Sequence, residues 1–190
     1  EYQNKLASLK WLDPACGSGN FLTETYISIR RLENEVIKTL KGGQMQFVMD
    51  GDSSPIKVGI NQFYGIEIND FAVTVAKTAL WIAESQMMKE TEDILLMQLD
   101  FLPLKTNAHI IEANALRMDW NEVIVKDKLT YIMGNPPFLG AQYMNKSQKK
   151  EIMDIFKDNK RAGVLDYVTA WYQKSADFIT GTEIEIGRAH

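Results

Sequence analysis

The sequence predicts an α/β fold in which a mostly parallel sheet has helices on both faces. Near the start, an apolar run, a glycine loop and a long helical pattern follow one another. A second apolar run ends in an acid and precedes a capped helix, and a later run ends in a proline-rich corner. Strand, glycine loop and helix in that order are typical of nucleotide-binding units. We therefore interpret residues 1–190 as one domain with a core of its own.

The first unit consists of a strand at Leu9–Leu12, a glycine loop and a helix from about Gly19 to Leu40. Gly17 and Gly19 would let the backbone approach a ligand without Cβ atoms in the way. The pattern G-x-G-x-x-G is not met, and no P-loop lysine follows. Asp13 at the strand tip suits a cationic group better than a pyrophosphate. The alternative interpretation of the loop is a tight turn.

The second strand is predicted within Gln62–Asn69, and Glu67 lies at its tip. A carboxylate there can accept hydrogen bonds from both hydroxyls of a ribose, and the alternative is a solvated strand-end acid. The usual spacing from the glycine loop is about 20 residues. The longer spacing here predicts an insertion at about 41–62. A helix capped by Asn69 or Asp70 follows, to about Lys89.

Two further apolar runs complete the predicted sheet. His109–Ala113 is the third strand and leads into Asn114, after a connector at Ile94–Leu104. Leu129–Gly134 is the fourth, and Asn135-Pro136-Pro137-Phe138 follows it. Because proline has no N–H to donate, the two prolines end the ladder and stiffen the corner. The corner offers an amide, backbone carbonyls and a ring face, which suit a flat substrate with an amino group. The alternative is a turn with a packed phenylalanine.

The glycine loop Asp13–Gly19 and the corner Asn135–Phe138 together resemble the motifs of a known family. This family is the S-adenosylmethionine-dependent DNA adenine N6-methyltransferases of the gamma motif order, in which the cofactor motif comes first. The resemblance runs from Trp11 to about Ile179 and implies a Rossmann-like class I methyltransferase fold. It points to the subgroup of large restriction-modification polypeptides that fuse nuclease, methylase and target recognition.

The resemblance also implies roles for residues of the glycine loop and of the strand ends. Asp13 and residues 15–20 would hold the methionine part of S-adenosylmethionine, Glu67 its ribose, and Ile68 its adenine. Asn114 would accept from the amino group of that adenine, with Asp119 as the alternative. The implied cofactor-binding residues are Asp13, Pro14, Ala15, Cys16, Gly17, Gly19, Asn20, Glu67, Ile68, Asn114 and Ala115.

The resemblance implies that Asn135, Pro136, Pro137 and Phe138 act on an adenine flipped out of double-stranded DNA. The Asn135 side chain and the Pro136 carbonyl would accept from N6–H, which directs the lone pair of N6 at the methyl group. Phe138 would stack on the flipped base. The start of a last helix, predicted at Asp166–Ile179, would lie near the target base. No metal ligands are assigned.

Composition indicates an intracellular domain, which we expect in the cytoplasm of a prokaryote. The single cysteine excludes an intramolecular disulfide, and we interpret Cys16 as a small spacer in the glycine loop. No run approaches the roughly 20 apolar residues of a membrane span. The net charge of −4 is unfavourable for a domain that binds DNA alone.

The charge is uneven, because the stretch 146–161 contains six basic residues and three acids. It could contact phosphates beside the flipped base. The alternative is a solvated amphipathic helix from Ser147 to about Lys157, with Ile152, Ile155 and Phe156 facing inward. The basic residues are Lys146, Lys149, Lys150, Lys157, Lys160 and Arg161.

Only four strands can be recognised, fewer than the resemblance implies, and the first begins about eight residues into the chain. We therefore expect a truncated domain without an upstream cofactor-contacting helix. Target-recognition and possibly nuclease regions would lie on the same parent polypeptide. Two other functions remain open: N-methylation of RNA or of a protein glutamine, and a non-catalytic cofactor-binding role.

Overall fold

The computed structural model describes residues 1–42, 54–99, 107–157, 159 and 161–187. Its helices and strands alternate along most of the chain. Short 3-10 turns at Ile60–Gln62, Trp120–Glu122, Lys126–Lys128 and Ala162–Val164 lie between them. The elements in chain order are α1 Tyr2–Ser8, β1 Trp11–Asp13, α2 Asn20–Gly42, β2 Phe63–Glu67, α3 Asp70–Leu95, β3 His109–Glu112, β4 Tyr131–Ile132, α4 Lys146–Ile155, α5 Thr169–Ile179 and β5 Glu185–Ile186.

The described strands form one parallel sheet in the order β3-β2-β1-β4-β5. Trp11 of β1 pairs with Phe63 of β2 on one side and with Tyr131 of β4 on the other. The chain therefore runs outward from β1 in one direction and later returns to add β4 on the opposite side. This reversal places a topological switch point between β1 and β4, where open α/β sheets bind ligands.

Helices cover both faces of the sheet, as the sequence predicts. Residues of α1, α2 and α3 pack on one face around Phe63 and Ile110. Residues of α4 and α5 pack on the other face around Leu12, Ile66 and Ile132. Side chains of a strand alternate between faces, so each strand contributes apolar side chains to the two cores. The predicted fold class is confirmed.

The predicted helix after β2 is confirmed, and it is longer than the sequence indicates. The Asn69 side chain caps its start by accepting a hydrogen bond from the Ala72 N–H at 3.0 Å. The helix continues past Lys89 to Leu95 and ends where Leu96 adopts a left-handed conformation with φ 57°. The predicted apolar stripe is buried along α3: Val73, Ala76, Leu80 and Ala83.

Several predicted boundaries and counts were wrong. The last helix begins at Thr169 rather than Asp166, because the Asp166 carboxylate accepts from the Leu139 and Val168 N–H groups. The sheet has a fifth strand, β5, whose two residues are exposed and which was not predicted. The fourth strand is shorter than predicted and comprises Tyr131–Ile132.

The predicted insertion at about 41–62 is too broad at both ends. Helix α2 extends to Gly42, and Ile60–Gln62 forms a 3-10 turn before β2. Residues 43–53 lie outside the described residues. Where the description resumes, buried Glu33 of α2 accepts hydrogen bonds from the Lys57 and Val58 N–H groups at 2.7 and 3.2 Å.

The predicted connector at 94–104 was wrong at its start, since residues 94 and 95 belong to α3. Residues 100–104 of that connector lie outside the described residues. Among the helices that the structure describes, none has the length and apolar character needed to cross a membrane.

Candidate active site

A cavity of about 380 Å³ opens at the carboxyl ends of β1, β2, β3 and β4. Its walls come from the glycine loop, from the ends of β2 and β3 and from the corner after β4. Residues predicted for the cofactor and for catalysis therefore share one cavity. The predicted residues that line it are Pro14, Ala15, Glu67, Ile68, Asn114, Ala115, Asn135 and Pro137.

Asp13 directly precedes Pro14 of the cavity wall and is fully buried. Its Oδ1 accepts from the Ala15 N–H at 2.9 Å, and its Oδ2 has no hydrogen-bond partner among the described residues. Burial raises the pKa of Asp13 to about 7; the hydrogen bond from Ala15 opposes this, and the charge of Glu67 adds to it. A buried carboxylate oxygen without a partner favours a cationic or hydrogen-bond-donating ligand.

Gly134 brings the end of β4 against Asp13. Its φ is +149°, and a Cβ built there would lie 2.5 Å from Asp13 Oδ1. Any larger residue would therefore separate the two strand ends. This contact places the catalytic corner, which begins at Asn135, directly beside the cofactor motif.

The two glycines of the loop serve different purposes. Gly17 has φ +53° and open space where a Cβ would be, and its N–H donates to Glu67 Oε2 at 2.9 Å. Gly19 has φ +81°, and a Cβ there would lie 2.8 Å from the Cβ of Ala76 on α3. Gly19 therefore also allows α3 to pack closely, and ligand contact at the two glycines stays a prediction.

Cys16 and Asn20 occupy the ends of this loop. The Cys16 thiol is buried against Gly65, where a Cβ would meet Sγ at 2.8 Å, and burial raises the pKa of the thiol. This environment agrees with a packing role, because a reactive cysteine needs a lowered pKa. Asn20 begins α2 and is exposed, and its Oδ1 accepts from Ser18 Oγ at 3.3 Å.

Glu67 joins the loops after β1 and β2. In addition to the contact with Gly17, its Oε1 accepts from the Asn69 N–H at 2.9 Å. Each oxygen keeps a further lone pair for a ligand. Ile68 follows with 66% of its side chain exposed at the cavity wall, which is the environment of a residue that packs on a ligand.

Asn114 is held at both ends of its amide. Its Oδ1 accepts from the Leu116 N–H at 2.9 Å, and its Nδ2 donates to Glu151 Oε1 at 2.8 Å. The oxygen retains one lone pair for a ligand. The alternative, Asp119, is not brought to the site: it lines a separate cavity beside Trp120 and Lys174, and its carboxylate accepts from Asn121.

The catalytic corner presents its side chains to solvent. Asn135 and Pro137 line the cavity and are exposed, and Phe138 is 63% exposed. Within the described residues, the Asn135 amide makes no side-chain hydrogen bond. Pro136 lines a small separate cavity instead.

The stretch that precedes α5 anchors the corner. Asp166 Oδ1 accepts from the Leu139 N–H at 3.0 Å, and the Tyr167 N–H donates to the Leu139 oxygen at 2.9 Å. Leu139 directly follows Phe138, so these two bonds fix the end of the motif. Tyr167 also lines the cavity.

Four residues of the cavity wall were not predicted from the sequence: Ile66, Ala113, Gln148 and Trp171. The Trp171 Nε1–H donates to the Pro14 oxygen at 3.1 Å, and its ring meets that of Tyr167 edge to face at 5.0 Å. A tryptophan in an apolar helix pattern usually indicates core, so no sequence signal identified it. Gln148 carries no motif either.

The basic stretch after the corner is partly described. On α4, Lys146, Lys149 and Lys150 are exposed while Ile152 is buried, so the helix is amphipathic. Ile155 and Phe156 are half-buried, and Lys160 lies outside the described residues. The exposed lysines neighbour Gln148 of the cavity wall. Both interpretations of this stretch, phosphate contact and solvated face, agree with this arrangement.

In the described part of the chain, no group of three or more His, Cys, Asp or Glu side chains is arranged to hold a metal ion.

Comparisons with known proteins give concordant findings. A family model described as the MmeI DNA-methyltransferase domain matches residues 1–188. DNA methyltransferase A of Bacillus subtilis is 40% identical over 187 residues, which are 96% of this chain and 20% of that protein. A solved structure of the Type IIL restriction-modification enzyme MmeI in complex with DNA matches with a TM-score of 0.91 and 40% identity. That match covers 98% of this chain and 25% of the solved chain, so this chain spans a quarter or less of both relatives.

Proposed function

This chain belongs to the MmeI DNA-methyltransferase domain family, and we propose that it methylates the exocyclic N6 of an adenine in double-stranded DNA. The methyl donor is S-adenosylmethionine, and the reaction belongs to a restriction-modification system in a prokaryotic cytoplasm. One observation carries the proposal: Asn135 and Pro137 line the same cavity as Ala15 and Glu67. The two relatives support it, since one is a DNA methyltransferase and the other is a restriction-modification enzyme in complex with DNA.

The cavity has groups that fit each part of the donor. Asp13 has a buried carboxylate oxygen without a partner among the described residues, which suits a cationic methionine part. Open space at Gly17 leaves room for a ligand against the backbone. Glu67 keeps lone pairs for ribose hydroxyls, and exposed Ile68 provides an apolar surface for an adenine ring. When bound, S-adenosylmethionine supplies an electrophilic methyl group.

Asn135 and Pro136 act on the nucleophile. The lone pair of adenine N6 is delocalised into the ring, which makes the amine a poor nucleophile. The Asn135 side-chain oxygen and the Pro136 carbonyl accept hydrogen bonds from N6–H and draw the nitrogen toward tetrahedral geometry. Its lone pair then faces the methyl group for an in-line displacement. This is catalysis by positioning and by fixed dipoles.

Phe138 offsets part of the cost of extracting the base. A duplex adenine reaches the corner only after it leaves the stack, at a cost of about a few kcal/mol. Stacking on an aromatic ring returns roughly 1–3 kcal/mol. The exposed ring of Phe138, which follows Pro137 of the cavity wall, supports this role. The proton released from the product amine goes to water.

The test uses the full-length protein, S-adenosylmethionine with an isotopically labelled methyl group, and unmethylated DNA. The DNA is digested to nucleosides, and labelled N6-methyladenine is measured by mass spectrometry. We expect the label on adenine N6. Label on RNA or on a protein glutamine in parallel reactions, with none on DNA, would reject the proposal. Cofactor binding without any transfer would support a non-catalytic role.

A further inference from the structure

Glu151, on the buried side of α4, lies at the centre of a polar cluster that the function proposed above does not use. The Glu151 cluster consists of Glu151, Asn114, Arg117 and Tyr167. We propose that Glu151 is a positioning residue that fixes the adenine end of the cavity through Asn114 and the catalytic corner through Tyr167. This inference rests on the proposed methyl transfer.

The carboxylate is 6% exposed and is surrounded by donors. Its Oε1 accepts from Asn114 Nδ2 at 2.8 Å and from Arg117 Nε at 2.7 Å, and Arg117 Nη2 also lies 2.7 Å away. Its Oε2 accepts from the Tyr167 hydroxyl. Burial, followed by the contact with Glu151, raises the pKa of Tyr167, so the hydroxyl stays protonated and donates. A buried carboxylate is tolerated when it is paired and hydrogen-bonded in this way.

Two sets of contacts extend from Glu151, and we call them the arms of the cluster. The first arm is the contact with Asn114, and it orients that side chain. Glu151 holds the amide nitrogen, while the Leu116 N–H holds the amide oxygen. The two contacts together exclude a flipped amide, because a flip would direct NH2 at a backbone donor and oxygen at a carboxylate. The remaining lone pair of Asn114 Oδ1 is thereby fixed at the cavity wall, where the donor's adenine would bind.

The second arm reaches the catalytic corner through Tyr167. This residue donates its hydroxyl to Glu151 and its N–H to the Leu139 oxygen, one residue beyond Phe138. Its ring also packs edge to face on Trp171, whose Nε1–H donates to Pro14. The same tyrosine therefore fixes both the end of the catalytic motif and one wall of the cofactor loop.

The chemistry of the cluster requires a carboxylate in particular. All the partners of Glu151 are donors, and an ionised carboxylate only accepts. A glutamine would introduce an NH2 group opposite the Tyr167 hydroxyl or opposite Asn114 and Arg117. Whichever way the amide of the glutamine faces, the negative charge that both arms share is lost. Glu151→Gln therefore weakens both arms while it keeps the size of the side chain.

The test compares three variants of the full-length protein by cofactor affinity and by single-turnover methyl transfer at saturating cofactor. We expect Glu151→Gln to weaken S-adenosylmethionine binding about tenfold and to slow transfer about tenfold. Tyr167→Phe, which loses one oxygen, should slow transfer about tenfold with the cofactor Kd within about twofold. The control is Ser147→Ala, which removes only the Ser147 hydroxyl that accepts from Arg117 Nη2 at 2.5 Å. It should change neither the cofactor Kd nor the transfer rate by more than about twofold.

The double variant Glu151→Gln with Tyr167→Phe decides whether the two residues act through one contact. We expect it to transfer methyl as fast as Glu151→Gln alone, within about twofold. The inference would be overturned if the rate losses of the two single variants multiplied in the double variant. It would also be overturned if Ser147→Ala lost as much rate or affinity as Glu151→Gln. If Glu151→Gln does not fold, an unchanged rate in Tyr167→Phe overturns it by itself. If the wild type transfers no methyl group to DNA, the proposed function fails, and cofactor affinities of Glu151→Gln and Ser147→Ala still test the first arm.

Discussion

At the scale of single residues, Asp13 and Gly134 form the junction of the site. Asp13 ends β1 directly before the cavity wall, and Gly134 precedes Asn135, the proposed catalytic asparagine. Their close approach means that the group proposed to hold the donor and the group proposed to hold the base are positioned by one contact. Changes at this contact should therefore affect both stability and chemistry.

Asp13 should give the protein a measurable pH dependence. Its folded-state pKa of about 7 lies above the ordinary value of 3.8, so protonation stabilises the folded state. This stabilisation is fully present below about pH 4 and is lost as pH rises through about 7. The wild-type free energy of unfolding, measured by urea titration, should therefore fall between pH 4 and 7. In Asp13→Asn this fall should be absent.

Binding of the cationic donor should follow the opposite trend, because the ionised carboxylate attracts it. Wild-type affinity for S-adenosylmethionine should increase as pH rises through about 7, and Asp13→Asn should bind weakly at all of these values. Calorimetric titrations at pH 6, 7 and 8 measure this. Parallel pH profiles in wild type and variant would rule out Asp13 as the titrating group.

Gly134→Ala should disturb the junction directly. The new Cβ would lie 2.5 Å from Asp13 Oδ1, at a φ that side chains rarely adopt. We expect a loss of about 1–3 kcal/mol in the free energy of unfolding, together with slower methyl transfer. Gly163→Ala is the matched control, since its Cβ would meet nothing within 4 Å, and it should change stability by no more than about 0.5 kcal/mol. Equal stability of the two variants would refute the steric argument.

At the scale of elements, the long periodic segments could be predicted from the sequence, and the short ones could not. Helices α2 and α3 carry apolar stripes over many turns, and Asn69 provides a cap that can be read locally. Strand β5 has two exposed residues and exists because the Glu185 and Gly187 N–H groups donate to Thr130 and Ile132. The alternation Glu183-Ile184-Glu185-Ile186 is too short to distinguish a strand from a loop, so this pairing depends on tertiary placement.

The same distinction applies to the site. Residues in recognisable motifs, such as Glu67 and Asn135, could be identified from the sequence. Trp171 and Gln148 reach the cavity because α4 and α5 fold back onto the sheet, which no spacing along the chain reveals. Asp119 lies close to Asn114 in sequence but faces a different cavity.

Helix α4 supports a test of DNA contact. If its exposed lysines meet phosphates, Lys149→Gln with Lys150→Gln should weaken DNA binding and reduce the salt dependence of the binding constant by about one unit per lost contact. Lys89→Gln on α3 is the control, because Lys89 is exposed on the opposite face and pairs with Asp93 at 3.1 Å. Fluorescence anisotropy at several salt concentrations measures both. An unchanged salt slope in the double variant would identify α4 as a solvated face.

At the scale of the whole molecule, the site exists because strands are added on one side of β1 first and on its other side later. The order β3-β2-β1-β4-β5 brings the cofactor loop and the catalytic corner to adjacent strand ends, although they are far apart in sequence. Cores on the two faces hold these ends in place. The net charge of −4 is unfavourable for binding DNA by this chain alone. We therefore expect much of the affinity for DNA to come from other parts of the full-length protein.

The central claim is that one cavity binds the donor and holds the target base through Asn135. The most direct measurement is made on Asn135→Ala in the full-length protein, with cofactor affinity and single-turnover N6 methylation measured side by side. We expect the Kd for S-adenosylmethionine to stay within about twofold, while transfer falls by about 100-fold to 1,000-fold. The control is Gln142→Ala, which removes another exposed side-chain amide. It should keep the wild-type cofactor affinity and the wild-type transfer rate. Transfer at the wild-type rate in Asn135→Ala would contradict the claim.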